Sequence, residues 1–478
     1  MQLAETGPRH RVLRRALPVL LLLHLLPAGK AFAQDAPMRF DGPFLVSGIA
    51  YEGNDRTKER VLLRELTFAL GDSLSADDLY ARLARSRENL LNLGLFNTVG
   101  MMPTFLGPHE VFITVTVDER WFWWPSPIIR LADPNFNTWW LTKDLRRINI
   151  GGYLYRYNMR GLNETFFAKV QLGYSHEFGL SYRVPFFDRA QHWGAEIGGF
   201  YGEQDEITVG TVDNKRVFLR SPGENIIDSW TVQVKASLRP LHDLRHSWRA
   251  SWHKASVRDT VALAAPDFFG AGAGSISYPA LGYTLTLDLR DSRTFTLSGL
   301  YADLLVDRYG LGGAGPDVTT VRASVQRSWK AGQRWSYGAN LSGKASLGGG
   351  IPYYVQEGLG YDDYVRGYEY YVIDGQHYGL AKFNLLFALV RPANYRVEPI
   401  PVEAFRNLYV AVYLNAFTDV AYVRDDLHGA ENFLSDRLLQ GSGLGLDLVT
   451  SYDQVLRVEC AVNHLGETGL YLHFSQPF

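Results

Sequence analysis

Residues 230–238 read Trp-Thr-Val-Gln-Val-Lys-Ala-Ser-Leu, and this alternation of apolar and polar side chains decides the fold. Because successive side chains of a β-strand point to opposite faces, one face of this strand is apolar and the other is polar. An apolar face suits a lipid surface, and a polar face suits a water-filled lumen. The stretch therefore predicts a strand in the wall of a membrane β-barrel.

The same alternation recurs along most of the chain, for example at residues 283–290 and 443–448. About 16 such segments lie between Arg147 and Phe478, and an even number is typical of bacterial outer-membrane barrels. A soluble β-sandwich or propeller is the alternative, but nearly every strand keeps a polar face, which leaves no second apolar face for a sheet-on-sheet core. We expect a mainly β protein with a 16-stranded antiparallel transmembrane β-barrel at residues 145–478.

Residues 41–120 mix strand and helix signals instead. Ser75, followed three residues later by Asp78, is typical of a capping box at the start of a helix that ends before Gly94. The predicted order is β-α-α-β-β, which describes a small domain. The segments are residues 45–51, 58–66, 75–93, 97–104 and 110–119.

Two further segments are predicted outside these domains. Residues 1–33 combine an arginine-rich start, an apolar run and the small-residue site Ala31-Phe32-Ala33, as a secretory signal peptide does. Residues 121–144 contain Trp121-Phe122-Trp123-Trp124-Pro125 and Trp139-Trp140, which favour an aromatic linker at a membrane interface. The chain is therefore expected to be exported.

Composition and motifs exclude several function classes. The 478 residues include 48 basic and 50 acidic ones, and this balance disfavours nucleic acid as a partner. Cys460 is the only cysteine, which excludes an intrachain disulfide framework and a cysteine zinc site. His176-Glu177 begins like a zinc-protease motif, but Leu180 stands where the second histidine belongs. The glycines of residues 310–315 match a dinucleotide fingerprint, but a strand is predicted after them rather than a helix. We expect no enzyme, no cofactor and no metal.

Four short motifs carry a resemblance to a known family. They are Tyr51-Glu52-Gly53-Asn54, Asn92-Leu93-Gly94-Leu95-Phe96, Val365-Arg366-Gly367-Tyr368 and Phe417-Thr418-Asp419-Val420-Ala421. The chain resembles the BamA/TamA-like superfamily of outer-membrane assembly and translocation barrels, also called the bacterial surface antigen family. The first two motifs are similar to landmarks of its periplasmic POTRA domains. The resemblance thus implies one small POTRA-like periplasmic domain before the barrel.

The third motif is similar to the signature of the family's long sixth extracellular loop. In the family this loop folds back into the lumen, and acidic residues on the inner wall hold its arginine. The resemblance implies that Arg366 pairs with Asp419, which lies on the lumen face of its strand. The preceding strand offers Lys382, Asn384 and Leu386 inward, where the family usually has a second carboxylate, so that second partner stays open.

The last strand carries a pattern of its own. Gly469, Leu472 and Phe474, with the aromatic residue Phe478, match the C-terminal signal that barrel assembly machinery recognises. A free strand edge offers unpaired backbone groups to a partner strand. The resemblance implies a lateral gate between the first strand, expected at Arg147–Asn158, and the last strand, expected at Gly469–Phe478.

The resemblance also implies a function without covalent chemistry. The protein is expected to help insert or assemble outer-membrane proteins, with export of a dedicated polypeptide as the alternative and a passive pore or surface receptor as further ones. Expected partners are outer-membrane lipid, unfolded outer-membrane proteins or a secreted polypeptide, and accessory lipoproteins. The expected location is the bacterial outer membrane, with the POTRA-like domain in the periplasm.

Overall fold

The computed structural model describes residues 43–131, 145, 148–221, 224–311, 314–400, 405–427 and 429–475. The predicted signal peptide, Trp139-Trp140 and Phe478 lie outside the described residues. The described α-helices are α1 (Glu59–Glu65), α2 (Ala76–Leu91) and α3 (Asp259–Ala264). Single 3₁₀ turns occupy Tyr353–Val355, Gly429–Glu431 and Ser451–Asp453.

The N-terminal domain is a four-stranded sheet covered by α1 and α2. Its strands lie side by side in the order β2-β1-β4-β3, with β1 and β4 parallel. The predicted β-α-α-β-β order is confirmed, with a two-residue strand added between the helices. The strands are β1 (Phe44–Glu52), β2 (Ser73–Leu74), β3 (Phe96–Gly107) and β4 (Glu110–Glu119).

Helix α2 begins where the capping signal predicts. The Ser75 hydroxyl accepts a hydrogen bond from the backbone N–H of Asp78 at 3.1 Å. Leu79, Leu83 and Leu90 are buried on one face of the helix and belong to the apolar core of the domain. Phe186, from far along the chain, is buried in the same core.

The rest of the described chain forms one 16-stranded antiparallel sheet in sequence order, which confirms the predicted strand number. A separate hairpin, β10–β11, follows the fifth strand of this sheet. The strands are β5 (Trp123–Leu131), β6 (Ile148–Tyr157), β7 (Thr165–Gly173), β8 (Ser175–Val184), β9 (Trp193–Gln204), β10 (Glu206–Val212), β11 (Lys215–Arg220), β12 (Ile227–Leu238), β13 (Leu244–Val257), β14 (Ser275–Asp288), β15 (Gly299–Leu311), β16 (Ala314–Ala331), β17 (Trp335–Gly348), β18 (His377–Arg396), β19 (Asn407–Arg424), β20 (Leu438–Thr450), β21 (Gln454–Asn463) and β22 (Thr468–Ser475).

The start of the barrel differs from the prediction. The sheet begins with β5, inside the stretch 121–144 that the sequence assigns to a linker, and β5 pairs with β6 in an unbroken register. The strand predicted as first, Arg147–Asn158, is therefore the second. The sequence assigned this stretch to a linker from its aromatic residues. The strand also contains Pro125 and Pro127, which are disfavoured in the middle of a sheet but tolerated in an edge strand.

The outer face of the barrel is apolar, as the alternation predicts. On β22, Leu470, Leu472 and Phe474 are 71%, 60% and 72% exposed, while Tyr471 between them is buried. Aromatic rings stack on this outer face near strand ends, for example Trp329 on Tyr337 at 5.1 Å. In the described part of the chain, no helix is long and apolar enough to cross a membrane.

Candidate functional site

The loop at residues 349–376 connects β17, the eleventh strand of the sheet, to β18. An isolated bridge between Leu359 and Ile373 closes the loop on itself. Val365 and Tyr368 are buried in an apolar cluster with side chains of β18, β19 and β20. The loop therefore packs against the inner wall of the barrel.

Arg366 makes the central polar contacts of this loop. Its Nε and Nη2 donate to the two carboxylate oxygens of Asp419 at 2.9 and 2.5 Å, a bidentate pair. The backbone N–H of Arg366 donates to Asp419 as well, at 3.0 Å. The guanidinium carbon also lies 3.9 Å from the centroid of the Phe417 ring. Arg366 and Asp419 are both buried, so each charge depends on the other.

Two further partners of Arg366 come from neighbouring strands. Its Nη1 donates to the Asn384 side-chain oxygen on β18 at 2.7 Å and lies 3.5 Å from the Glu459 carboxylate on β21. Glu459 thus supplies a second carboxylate, although not from the strand where the family pattern would place it. The sequence reasoning did not single out Glu459. The sequence does show Glu459 as an inward-facing carboxylate on its strand, between the outward side chains of Val458 and Cys460, and this position could have indicated a partner for Arg366.

Glycine allows the loop to approach the wall this closely. Gly367 has φ +94°, a backbone conformation that other residues rarely adopt. On β20, a Cβ added to Gly441 would overlap the carbonyl oxygen of Arg366. Next in the loop, the Tyr368 hydroxyl contacts His464 and donates to the Gln440 carbonyl at 3.3 Å. All four residues of the loop motif, Val365 to Tyr368, therefore contact the inner wall of the barrel.

The first and last strands, β5 and β22, are the two edges of the sheet in the described residues. Strand β22 pairs with β21 from Val455↔Ser475 to Val462↔Thr468. Within the described ranges, no ladder joins β22 to β5. Gly469 lies on β22 where an added Cβ would overlap the Tyr471 ring, and Leu472 and Phe474 face outward. The sheet thus has an open seam in the described residues.

The N-terminal domain docks onto the short turns at one end of the barrel. Glu65 accepts two hydrogen bonds from the Arg239 guanidinium at 2.6 and 2.7 Å; Glu65 is buried, and the Arg239 side chain is 10% exposed. Burial disfavours the charged form of Glu65, but the Arg239 guanidinium outweighs it and lowers the pKa of Glu65 below its ordinary value. Arg120 forms a second ion pair with Asp453 at 2.5 Å.

A cationic cavity lies between the docked domain and the inner wall. Its volume is about 620 Å³, and its lining includes Arg64, Arg183, Arg245 and Arg293. Burial, followed by the neighbouring charge of Arg239, lowers the pKa of Arg64 to about 10, which still leaves it charged at neutral pH. This end of the lumen therefore carries an excess of positive charge.

Comparison with known proteins agrees with this architecture. A family model described as "POTRA: Surface antigen variable number repeat" matches residues 44–120. No curated protein matches the chain. Among solved structures, BamA from Haemophilus ducreyi lacking POTRA domains 1-3 has a TM-score of 0.51 at 14% identity, over 90% of this chain and 84% of that one.

Two structures of CdiB are also similar. CdiB from Escherichia coli has a TM-score of 0.48 at 12% identity, over 95% of this chain and 92% of that one. CdiB from Acinetobacter baumannii has a TM-score of 0.47 at 14% identity, over 91% and 73%. Residues 44–120 thus match a POTRA domain, and the chain as a whole, with this domain before a 16-stranded barrel, has a fold similar to that of BamA.

Proposed function

We propose that this protein resides in the bacterial outer membrane, with its POTRA domain in the periplasm, and helps to insert or assemble outer-membrane proteins. The proposed route is a lateral gate between β5 and β22. The observation that carries the proposal is the seam, because the other neighbouring strands of the sheet are joined by ladders and the described parts of β5 and β22 are not.

The composition of β5 supports an edge that opens. Pro125 and Pro127 lie two residues apart, so both remove a backbone donor from the same edge of the strand. The ladder to β6 continues through both prolines, which favours placing the missing donors at the seam. A seam with fewer hydrogen bonds costs less free energy to open. An incoming strand could then pair with the exposed edge of β22.

Such a gate would help insertion because its open edge acts as a template with which an incoming strand can pair. Hydrocarbon offers no partners for backbone N–H and C=O groups, so a strand crosses the membrane only when it is already paired. An open edge beside lipid supplies those partners. The outward side chains Leu470, Leu472 and Phe474 keep the gate strand in contact with the lipid phase. The proposed activity needs no covalent step and no cofactor.

The lateral gate predicts a specific effect of cross-linking. In a Cys460→Ser chain, cysteine pairs placed across β5 and β22 are expected, once oxidised, to reduce insertion of a urea-unfolded barrel protein into liposomes to the rate of protein-free liposomes. Reduction should restore insertion. Heat-modifiable migration of the client on a gel measures its folding.

A matched control places the disulfide between two strands that are already joined by a ladder. Val234 and Ala250 are register partners on β12 and β13, and a disulfide between cysteines at these positions should leave insertion unchanged. Full cross-linking of β5 to β22 with undiminished insertion would contradict the gate.

Export of a dedicated polypeptide is the second candidate. The cationic cavity favours it, because arginines along the lumen would attract an acidic segment of a passing chain. Depletion of the protein, followed by quantitative mass spectrometry of the outer membrane, separates the candidates. A fall in many folded barrels supports insertion, and loss of one secreted or surface protein supports export. No change would leave the passive pore and the surface receptor.

A further inference from the structure

Three side chains converge beside Arg366, and one of them, Glu459, also belongs to the Arg366 network. Glu369 follows the loop motif, Glu459 lies on β21 and His473 lies on β22. One ligand atom from each residue lies within 4.8 Å of a ligand atom of the other two. Oε1 of Glu369, Oε2 of Glu459 and Nε2 of His473 are buried and have no hydrogen-bond partner. Buried polar atoms normally find a partner, so these three call for one.

The distances fit a tetrahedral metal ion. The His473 nitrogen lies 3.5 Å from the Glu459 oxygen and 3.8 Å from the Glu369 oxygen. Zinc bonds to nitrogen and oxygen are about 2.0–2.1 Å, which places two ligands of a tetrahedral ion about 3.3 Å apart. Shifts of a few tenths of an ångström would bring the His473 nitrogen to this distance from each carboxylate oxygen, and the two carboxylates lie within 4.8 Å of each other. Two carboxylates and one imidazole suit Zn²⁺ and leave its fourth position open.

The surroundings fix each ligand in place. Glu459 uses its other oxygen, Oε1, to face Arg366 at 3.5 Å and Arg457 at 3.7 Å. Glu369 uses its Oε2 to accept the backbone N–H of Gly367 at 2.8 Å. The Tyr364 ring stacks on the His473 imidazole, with centroids 5.5 Å apart. Each carboxylate is thus held through one oxygen and presents the other to the shared space.

We propose that Glu369, Glu459 and His473 bind a divalent transition-metal ion, with Zn²⁺ as the best fit. The ion links the last strand to the loop and to β21, so it holds β22 in place from inside the lumen. This assignment rests on the side-chain geometry and does not depend on what the barrel inserts or exports. A protonated His473 that pairs with both carboxylates is the competing arrangement.

The test is metal binding by the full-length chain without a polyhistidine tag, folded in detergent. Protein stripped with a chelator is loaded with Zn²⁺, gel-filtered and analysed by inductively coupled plasma mass spectrometry. About one ion per chain is expected. Loading with Co²⁺ should give the visible d–d absorption of a low-coordinate nitrogen and oxygen site. His473→Gln and Glu369→Gln should each weaken binding about tenfold or more.

The matched control is His176→Gln. His176 and Glu203 form a partly exposed His–carboxylate pair at 3.3 Å, and neither belongs to the proposed metal site. This variant should bind Zn²⁺ like the parent chain, and heat-modifiable migration verifies that all variants fold. Zinc bound equally by His473→Gln, or not bound by the parent, overturns the proposal. If the barrel is more stable at acidic pH but retains no zinc, the three side chains form an ion pair around a protonated His473. That result would also overturn the metal proposal.

Discussion

Arg366→Ala is expected to destabilise the folded barrel by about 3–5 kcal/mol, because the change leaves the buried Asp419 carboxylate without its bidentate partner and removes one of the two arginines that face Glu459. The expected loss of folding free energy is larger than the contribution of the ion pair, because the carboxylate left without a partner remains desolvated in the folded protein. Arg366→Lys should fall between alanine and the parent chain. Lysine keeps the charge but cannot reproduce the bidentate pair with Asp419.

Denaturant titration of the folded protein in detergent, followed by tryptophan fluorescence and heat-modifiable migration, measures this effect. Arg424→Ala is the matched control. Arg424 also pairs with a carboxylate, that of Asp426 at 3.0 Å, but both side chains are more than half exposed. Exposed ion pairs of this kind contribute little to stability, because water screens them. Equal losses for Arg366→Ala and Arg424→Ala would contradict the central role of the Arg366 network.

Glu65→Gln is expected to release the POTRA domain from the barrel, since it leaves the largely buried Arg239 guanidinium without its carboxylate. Breaking a buried pair by removing one partner costs about 3–5 kcal/mol. Hydrogen exchange of α1 and of the turn at residues 239–243 should rise in the variant, and so should the conductance of the barrel in a planar bilayer. Asp72→Asn, at the half-exposed Asp72–Arg82 pair, is the control and should change neither.

The same pair predicts a pH dependence. The pKa of Glu65 is lower in the folded protein than its ordinary value of 4.5, because Arg239 stabilises the charged form. The free energy that the Glu65–Arg239 pair contributes to docking is therefore fully present at pH values above the ordinary pKa of Glu65. It is lost as the pH falls through the lowered pKa of the folded protein. Docking should be constant near neutral pH and weaken in strong acid, and Glu65→Gln should remove this acid-dependent part. An unchanged acid transition in the variant would contradict the assignment.

The strand alternation was sufficient to predict the barrel and the face on which each residue lies. Asp419 could be placed on the lumen side because Leu408, Val410 and Val412 set the lipid face of its strand. The alternation shows which residues of a strand face inward, but it does not show which inward residues of different strands come close to the same loop. Asn384 and Glu459 therefore emerge as partners of Arg366 only from the packed structure.

The sequence did not predict the first strand of the barrel, nor the approach of the three side chains proposed as zinc ligands, for related reasons. Strand β5 contains two prolines, and local sequence cannot show that it will lie at a sheet edge where proline is tolerated. Glu369, Glu459 and His473 are separated by 90 and 14 positions in the sequence. Metal motifs are recognised by short spacings on one element, whereas these ligands meet because a loop folds across two strands.

Phe186 has a consequence for how the chain folds. This side chain belongs to the turn between β8 and β9, yet it is buried in the apolar core of the POTRA domain, with the Arg60 and Arg64 guanidiniums over its ring. The domain is therefore incomplete while that hairpin is unformed, even though its own residues are synthesised first. Cooperative units of folding often extend across the boundaries that secondary structure suggests. We therefore expect the POTRA domain and the barrel wall to share a part of their unfolding transition.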